Sequence, residues 1–153
     1  MSIKGSVYRN SKFTFHDGLQ GNKLLVLLNT PTENEDYLFV KTTSQRECRI
    51  TMPGCGTYYD QGEYFIPKGS DCFLFNTWIV LYEIYQIPLN DIEEKPDWSL
   101  LRDPTKKIDD IIECLFEHHS DDIMEQHEEL IRPSMPSEGL LERLKKELEE
   151  KNA

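Results

Sequence analysis

Residues 23–45 read KLLVLLNTPTENEDYLFVKTTSQ: two apolar runs of strand length, 23–29 and 36–42, flank the polar turn Thr30-Pro31-Thr32-Glu33-Asn34. Runs rich in Leu, Val, Phe and Tyr on either side of Thr-Pro and Asn suit two β-strands. The first run is apolar nearly throughout, the pattern of a strand covered on both faces. The second ends in Thr42, Thr43, Ser44 and Gln45, four small hydroxyl or amide side chains in succession. A strand can end this way because it reaches solvent, or because it presents hydroxyls and an amide to a ligand.

Outward from this pair, further short strands are predicted at 4–9, 12–15, 47–51, 63–66 and 78–85, separated by the turn signals Asp17-Gly18, Pro53-Gly54 and Pro67-Lys68-Gly69. Seven short strands without intervening helices suggest a small barrel or sandwich over residues 1–90. After Pro88 the period becomes helical. Asp103-Pro104 suits a helix start, and Ile108, Ile111, Ile112, Leu115 and Phe116 fall on one helical face. Ser120 opens a second helix bearing Ile123, Met124, His127, Leu130 and Ile131. The two prolines of RPSMPS (132–137) break the chain. Ser137 then caps a last helix striped by Leu140, Leu141, Leu144 and Leu148. At about 14 residues that helix is marginal alone in water and needs a surface to lie on. The predicted organisation is a β-barrel over 1–90, a packed helical extension over 91–132 and an amphipathic C-terminal helix over 133–153.

Composition narrows the function. The chain has 153 residues, 38% of them hydrophobic, with two Trp, seven Tyr and seven Phe, enough for a core in one domain. No stretch approaches the ~18 consecutive apolar residues of a membrane span, and MSIKGSVYRN lacks an apolar signal region. A soluble, cytoplasmic protein with no membrane partner is expected. Cys48, Cys55, Cys72 and Cys114 contain no C-x-x-C pair, so neither a zinc ribbon nor a thioredoxin-type site is indicated. They read most simply as reduced thiols, and no metal or cofactor is expected. Net charge is -11, unevenly spread. Residues 1–90 hold eight Lys and Arg against nine Asp and Glu, a balance of -1; residues 91–153 hold nine against nineteen, a balance of -10. The nearly neutral first part, with its basic group Lys41, Arg46 and Arg49, is left free to bind nucleic acid.

Three stretches resemble the MazF/PemK/Kid-like toxins of bacterial toxin–antitoxin systems: NKLLVLLN (22–29), YLFVKTTSQ (37–45) and WIVLYEIYQI (78–87). The resemblance covers roughly residues 5–130. It implies an SH3-like barrel with helical additions, a homodimer inhibited by an antitoxin protein, and metal-independent endoribonuclease activity on single-stranded RNA. In that chemistry a ribose 2′-OH attacks the adjacent phosphate, which calls for a proton acceptor, stabilisation of the phosphorane and a proton donor. By resemblance Thr43 matches the family's active-site Thr, with Ser44 and Gln45 beside it, and Glu83 matches the late-strand acid. Asn22-Lys23 stands where the family has Arg-Pro. Lys23 could substitute as a point charge without the Arg fork, and Arg46 or Arg49 could reach in from the next loop.

Other candidates come from residue chemistry. His16, beside the Asp17-Gly18 turn, suits acid–base work near neutral pH or is a plain turn residue. His127 reads as a satisfied core histidine. Tyr58, Tyr59, Tyr64 and Phe65 in GCGTYYDQGEYF can stack on unpaired bases or fill the core, the core being favoured for Phe65 and the site for Tyr58 or Tyr59, with Tyr59 a candidate substrate-binding residue. The alternative to an enzyme is a catalytically inactive or weak barrel that binds RNA or a protein partner. In it the acidic residues 137–153 would occupy the same groove.

Overall fold

A computed structural model describes residues 3–15, 17–45, 49 and 51–131, with 146 and 149. The RPSMPS break and nearly all of the predicted last helix lie outside the described residues. Among the described residues seven strands form one antiparallel sheet: β1 (Val7–Thr14), β2 (Gln20–Leu27), β3 (Tyr37–Thr43), β4 (Gly54–Tyr58), β5 (Gln61–Ile66), β6 (Thr77–Ile87) and β7 (Trp98–Leu100). Their order is β4-β5-β6-β3-β2-β1-β7.

The stretch 23–45 forms the centre of this sheet, with Val26 opposite Val40 and Leu25 opposite Lys41. Asn29 ties its connecting loop. It is 1% exposed, donates to the Asp36 carbonyl (3.1 Å) and accepts from the Leu38 N–H (3.0 Å). The loop's buried backbone groups are thereby satisfied where no ladder can reach them.

Strand alternation divides the sheet into two faces. On one, Val7, Val26, Leu28, Leu38, Val40, Ile66, Ile79 and Leu81 pack against Ile111, Ile112, Leu115 and Phe116 of α2 (Ile108–His119) and Ile131 of α3 (Glu125–Ile131). His127 on α3 donates to Gln86 Oε1 (3.0 Å), so it is a satisfied buried histidine. On the other face Tyr8, Leu25, Leu27, Tyr37, Phe39 and Ile92 form a smaller core with Trp98, under α1 (Leu89–Glu94) and β7. Among the described residues nothing covers the remainder of that second face.

Several expectations change. Among the described residues β4 and β7 are the two sheet edges and no ladder joins them, so the sheet is not closed. The chain covers its main apolar face with α2 and α3 rather than with more sheet. The two strands predicted at 4–9 and 12–15 are one strand, β1. Asn10-Ser11-Lys12 is a one-residue bulge within it rather than a turn, with Asn10 Oδ1 accepting the Lys12 N–H. Of the strand predicted at 47–51 only Arg49 and Thr51 are among the described residues, neither of them in a strand; β4 at Gly54–Tyr58 is not among the predicted strands, and its two glycines depress its β propensity. The hairpin from β4 to β5 turns through Tyr59 and Asp60 with φ of 49° and 65°, the left-handed pair of a two-residue hairpin. α2 starts at Ile108 rather than at Asp103-Pro104. Buried Thr105 precedes it, donating to Asp71 and accepting the Lys107 N–H. Ser120 opens a 3₁₀ turn, Ser120–Asp122, before α3.

The cysteines are the largest correction. Cys55 on β4 and Cys114 on α2 form a disulfide, so these two are not reduced thiols. Cys72 is a free, half-buried thiol that burial, and then the charge of Asp71, push up to about 12. Cys48 lies outside the described residues. No described helix is long and apolar enough to cross a membrane.

Candidate functional site

The open part of the second sheet face holds a cleft of about 440 Å³. β2 and β3 supply Lys23, Lys41 and Thr43, each one or two ladder steps from the buried Leu25 and Phe39. β6 supplies four lining residues, Val80, Tyr82, Glu83 and Tyr85, by an irregularity. Between Phe39–Tyr85 and Lys41–Val80 the sheet advances two residues on β3 and five on β6. Val80 and Tyr82 share one parity, Glu83 and Tyr85 the other. The bulge switches parity between them and aims both pairs into the cleft.

Among the described residues three cations line the cleft, and each lies over an aromatic ring. Lys23 Nζ is 5.6 Å from the centre of the Phe15 ring and Lys41 Nζ is 5.2 Å from that of Tyr82. Arg49 Cζ is 4.1 Å from the centre of the Tyr58 ring. These are attractive geometries that also fix long, flexible side chains. Burial, then the charges of Lys41 and Arg49, hold the Lys23 ammonium below its ordinary pKa.

Arg49 is fixed a second way. Its guanidinium donates to Glu63 Oε2 at 2.6 Å, and the Glu63 side chain is only 2% exposed. Glu63 sits beneath the cleft because β5 pairs with β6 as Glu63–Val80, in the same row as Lys41. Its other oxygen, Oε1, has no hydrogen-bond partner among the described residues. A buried carboxylate thus locks the Arg49 guanidinium at the cleft wall. At the opposite side the Tyr85 hydroxyl donates to Glu83 Oε2 (3.0 Å). Burial and that carboxylate raise the Tyr85 phenol, so it remains a donor and orients the acid.

The residues singled out from sequence separate clearly. Lys23, Thr43, Glu83 and Arg49 all line the cleft. Thr42, beside Thr43, faces the core and donates to the Leu24 carbonyl (2.8 Å), so the two threonines have different jobs. Ser44 and Gln45 are exposed beyond the end of β3 and do not line the cleft; the Gln45 N–H donates to Thr43 Oγ1. Asn22 is exposed, on the opposite face of β2 from Lys23. Tyr59 is 76% exposed at the β4–β5 turn, between the lining residues Tyr58 and Gln61 but outside the cleft. His16 and Arg46 lie outside the described residues. Sequence reasoning missed Glu63 and the aromatic walls Phe13, Phe15, Tyr82 and Tyr85. Only an acidic residue inside the apolar run EYFI hinted at the first. Compared with known proteins, the chain matches no family model, no curated protein and no solved structure.

Proposed function

We propose that the cleft binds single-stranded RNA and cleaves it without a metal, by attack of a ribose 2′-OH on the adjacent phosphate. The observation that carries this is the convergence of Lys23, Lys41 and Arg49, each over an aromatic ring, on a cleft that also holds Thr43 and Glu83. Cations suit the phosphates, and the half-buried rings that line the cleft suit unpaired bases. Glu83, oriented by Tyr85, accepts the 2′-OH proton. Thr43 and Lys41 hold the phosphate, and Arg49 stabilises charge on the phosphorane. Lys23, a stronger acid than an ordinary lysine, returns a proton to the departing 5′ oxygen. The products are a cyclic phosphate and a free 5′-hydroxyl. An SH3-like kinship to MazF/PemK/Kid-like toxins, a homodimer, an antitoxin partner and a cytoplasmic location belong to the same proposal.

Three phosphate contacts on a single strand give a slope of about -2 for log affinity against log salt, and each cation removed lowers it by about 0.7. Titrating an unstructured RNA against wild type, Lys23→Ala and Lys41→Ala over a range of salt tests this. A slope near zero, or one that neither substitution changes, overturns the assignment of the cleft.

The pH dependence follows from Lys23. Its folded pKa is depressed, so between that value and its ordinary one the unfolded chain binds more protons, and Lys23 adds stability as pH rises through the window. RNA affinity moves the opposite way. A phosphate beside Lys23 favours the charged form, so binding takes up protons in that window and weakens as pH rises. Calorimetry in two buffers of different ionisation enthalpy measures the uptake, which Lys23→Ala removes.

One observation favours the runner-up, a binding module without turnover: the Arg49 fork is engaged by Glu63. Glu83→Gln separates the two. An enzyme loses cleavage and keeps affinity, whereas a binding module has no cleavage to lose.

A further inference from the structure

β4 works on both sheet faces. Tyr58 points into the cleft and stacks on Arg49, whereas Cys55 points the other way and meets α2. Cys114 and His118 are four residues apart on α2, so both reach the same spot beside β4. The two sulfurs and a ring nitrogen of His118 all lie within 4.8 Å of one another. Glu117, on the same helix face, places Oε2 3.7 Å from Cys55 Sγ. The helix can come this close because β5 carries Gly62 there. A Cβ at that position would lie 2.8 Å from His118 Cβ.

From this cluster we infer that the Cys55–Cys114 pair has a second use: in the reduced protein Cys55, Cys114 and His118 bind a zinc-class divalent cation, with Glu117 as the fourth ligand. Two thiolates, an imidazole and a carboxylate are a donor set such an ion takes in tetrahedral geometry. The Cα atoms of the two cysteines are 5.6 Å apart. Zn–S bonds of about 2.3 Å at the tetrahedral angle need the sulfurs about 3.8 Å apart. Side-chain rotation of exposed Cys55 supplies that opening without moving α2.

Two equivalents of a low-molecular-weight thiol reduce the disulfide to two cysteine thiols and leave as their own disulfide. The cation then displaces two protons, one from each thiol, and neutral His118 adds its ring nitrogen. Among the described residues β4 is a sheet edge paired with β5 alone. Disulfide or metal alike would clip it to α2 and hold Tyr58, and with it Arg49, at the cleft wall.

The test uses the full chain with Cys48→Ser and Cys72→Ser, which leaves Cys55 and Cys114 as its two cysteines, reduced by a phosphine and titrated with Co²⁺. The expected result is thiolate-to-metal charge transfer in the near ultraviolet with tetrahedral visible bands, absent in the oxidised protein. Zn²⁺ should displace the Co²⁺. His118→Ala should weaken uptake by more than the ~10–100-fold typical of a lost outer partner. Should reduction alone unfold the chain, recovery of the native circular dichroism on adding Zn²⁺ is the readout. No charge-transfer band and no Zn²⁺-dependent stabilisation or refolding of the reduced protein overturns the proposal. So does uptake that His118→Ala leaves unchanged.

Discussion

Arg49→Met lowers unfolding free energy by about 3–5 kcal/mol, the size expected when one partner of a buried ion pair is removed. The reason is Glu63. Its side chain is 2% exposed, its Oε2 is held by Arg49 at 2.6 Å, and its Oε1 has no partner among the described residues. Without the guanidinium a desolvated carboxylate is left uncompensated in the sheet. Arg49→Lys falls between, because an ammonium keeps the charge but not the planar fork or the stack on Tyr58. The double variant Arg49→Met/Glu63→Leu recovers most of the loss, since apolar groups can replace a buried pair at little cost. Urea denaturation of the four proteins checks this. A single-site loss below about 1 kcal/mol, the range of exposed pairs, would show that the pair is solvated.

Cys55→Ser costs about 4 kcal/mol. The disulfide joins residues 59 apart in sequence, and chain-entropy estimates for a loop of that length give this size. Cys55 is the better partner to replace because it is exposed, whereas Cys114 is 1% exposed and its replacement would also bury a hydroxyl. The loss should equal that produced by reducing wild type in the presence of EDTA, and Cys72→Ser should not share it. RNA affinity should fall with it, because β4 carries the ring on which Arg49 lies. Denaturant midpoints with and without reductant measure the effect. Identical midpoints would remove the disulfide from the account.

The parts of the fold that the sequence foretells are those written in a single period. The runs at 23–29 and 36–42 become neighbouring strands β2 and β3, and the face Ile108–Phe116 becomes the packed face of α2. What it conceals depends on irregular or long-range geometry. Simple alternation from Val80 would send Glu83 to the helix side, and only the bulge in β6 brings it into the cleft with Tyr82. β4 is hidden by Gly54 and Gly56, and with it the pairing of Cys55 and Cys114, since their spacing says nothing about α2 lying across β4 and β5. TTSQ turns out to be mixed. Thr42 satisfies a backbone carbonyl, Thr43 faces the cleft, and Ser44 and Gln45 run out into solvent. Lys23, Thr43 and Glu83 come to the same cleft although they stand on three strands. Glu63 escaped notice because a charged residue in an apolar strand reads as outward-facing until its cation is found.

Incubating the oxidised protein in EDTA with an end-labelled single-stranded RNA pool, wild type beside Thr43→Val, tests the central claim most directly. Val keeps the shape of Thr and the β3 ladder while removing the hydroxyl. Cleavage leaving cyclic-phosphate ends, lost in Thr43→Val while RNA binding persists, is the predicted result. Intact RNA with wild type, or equal cleavage by both proteins, would contradict a ribonuclease site built around Thr43.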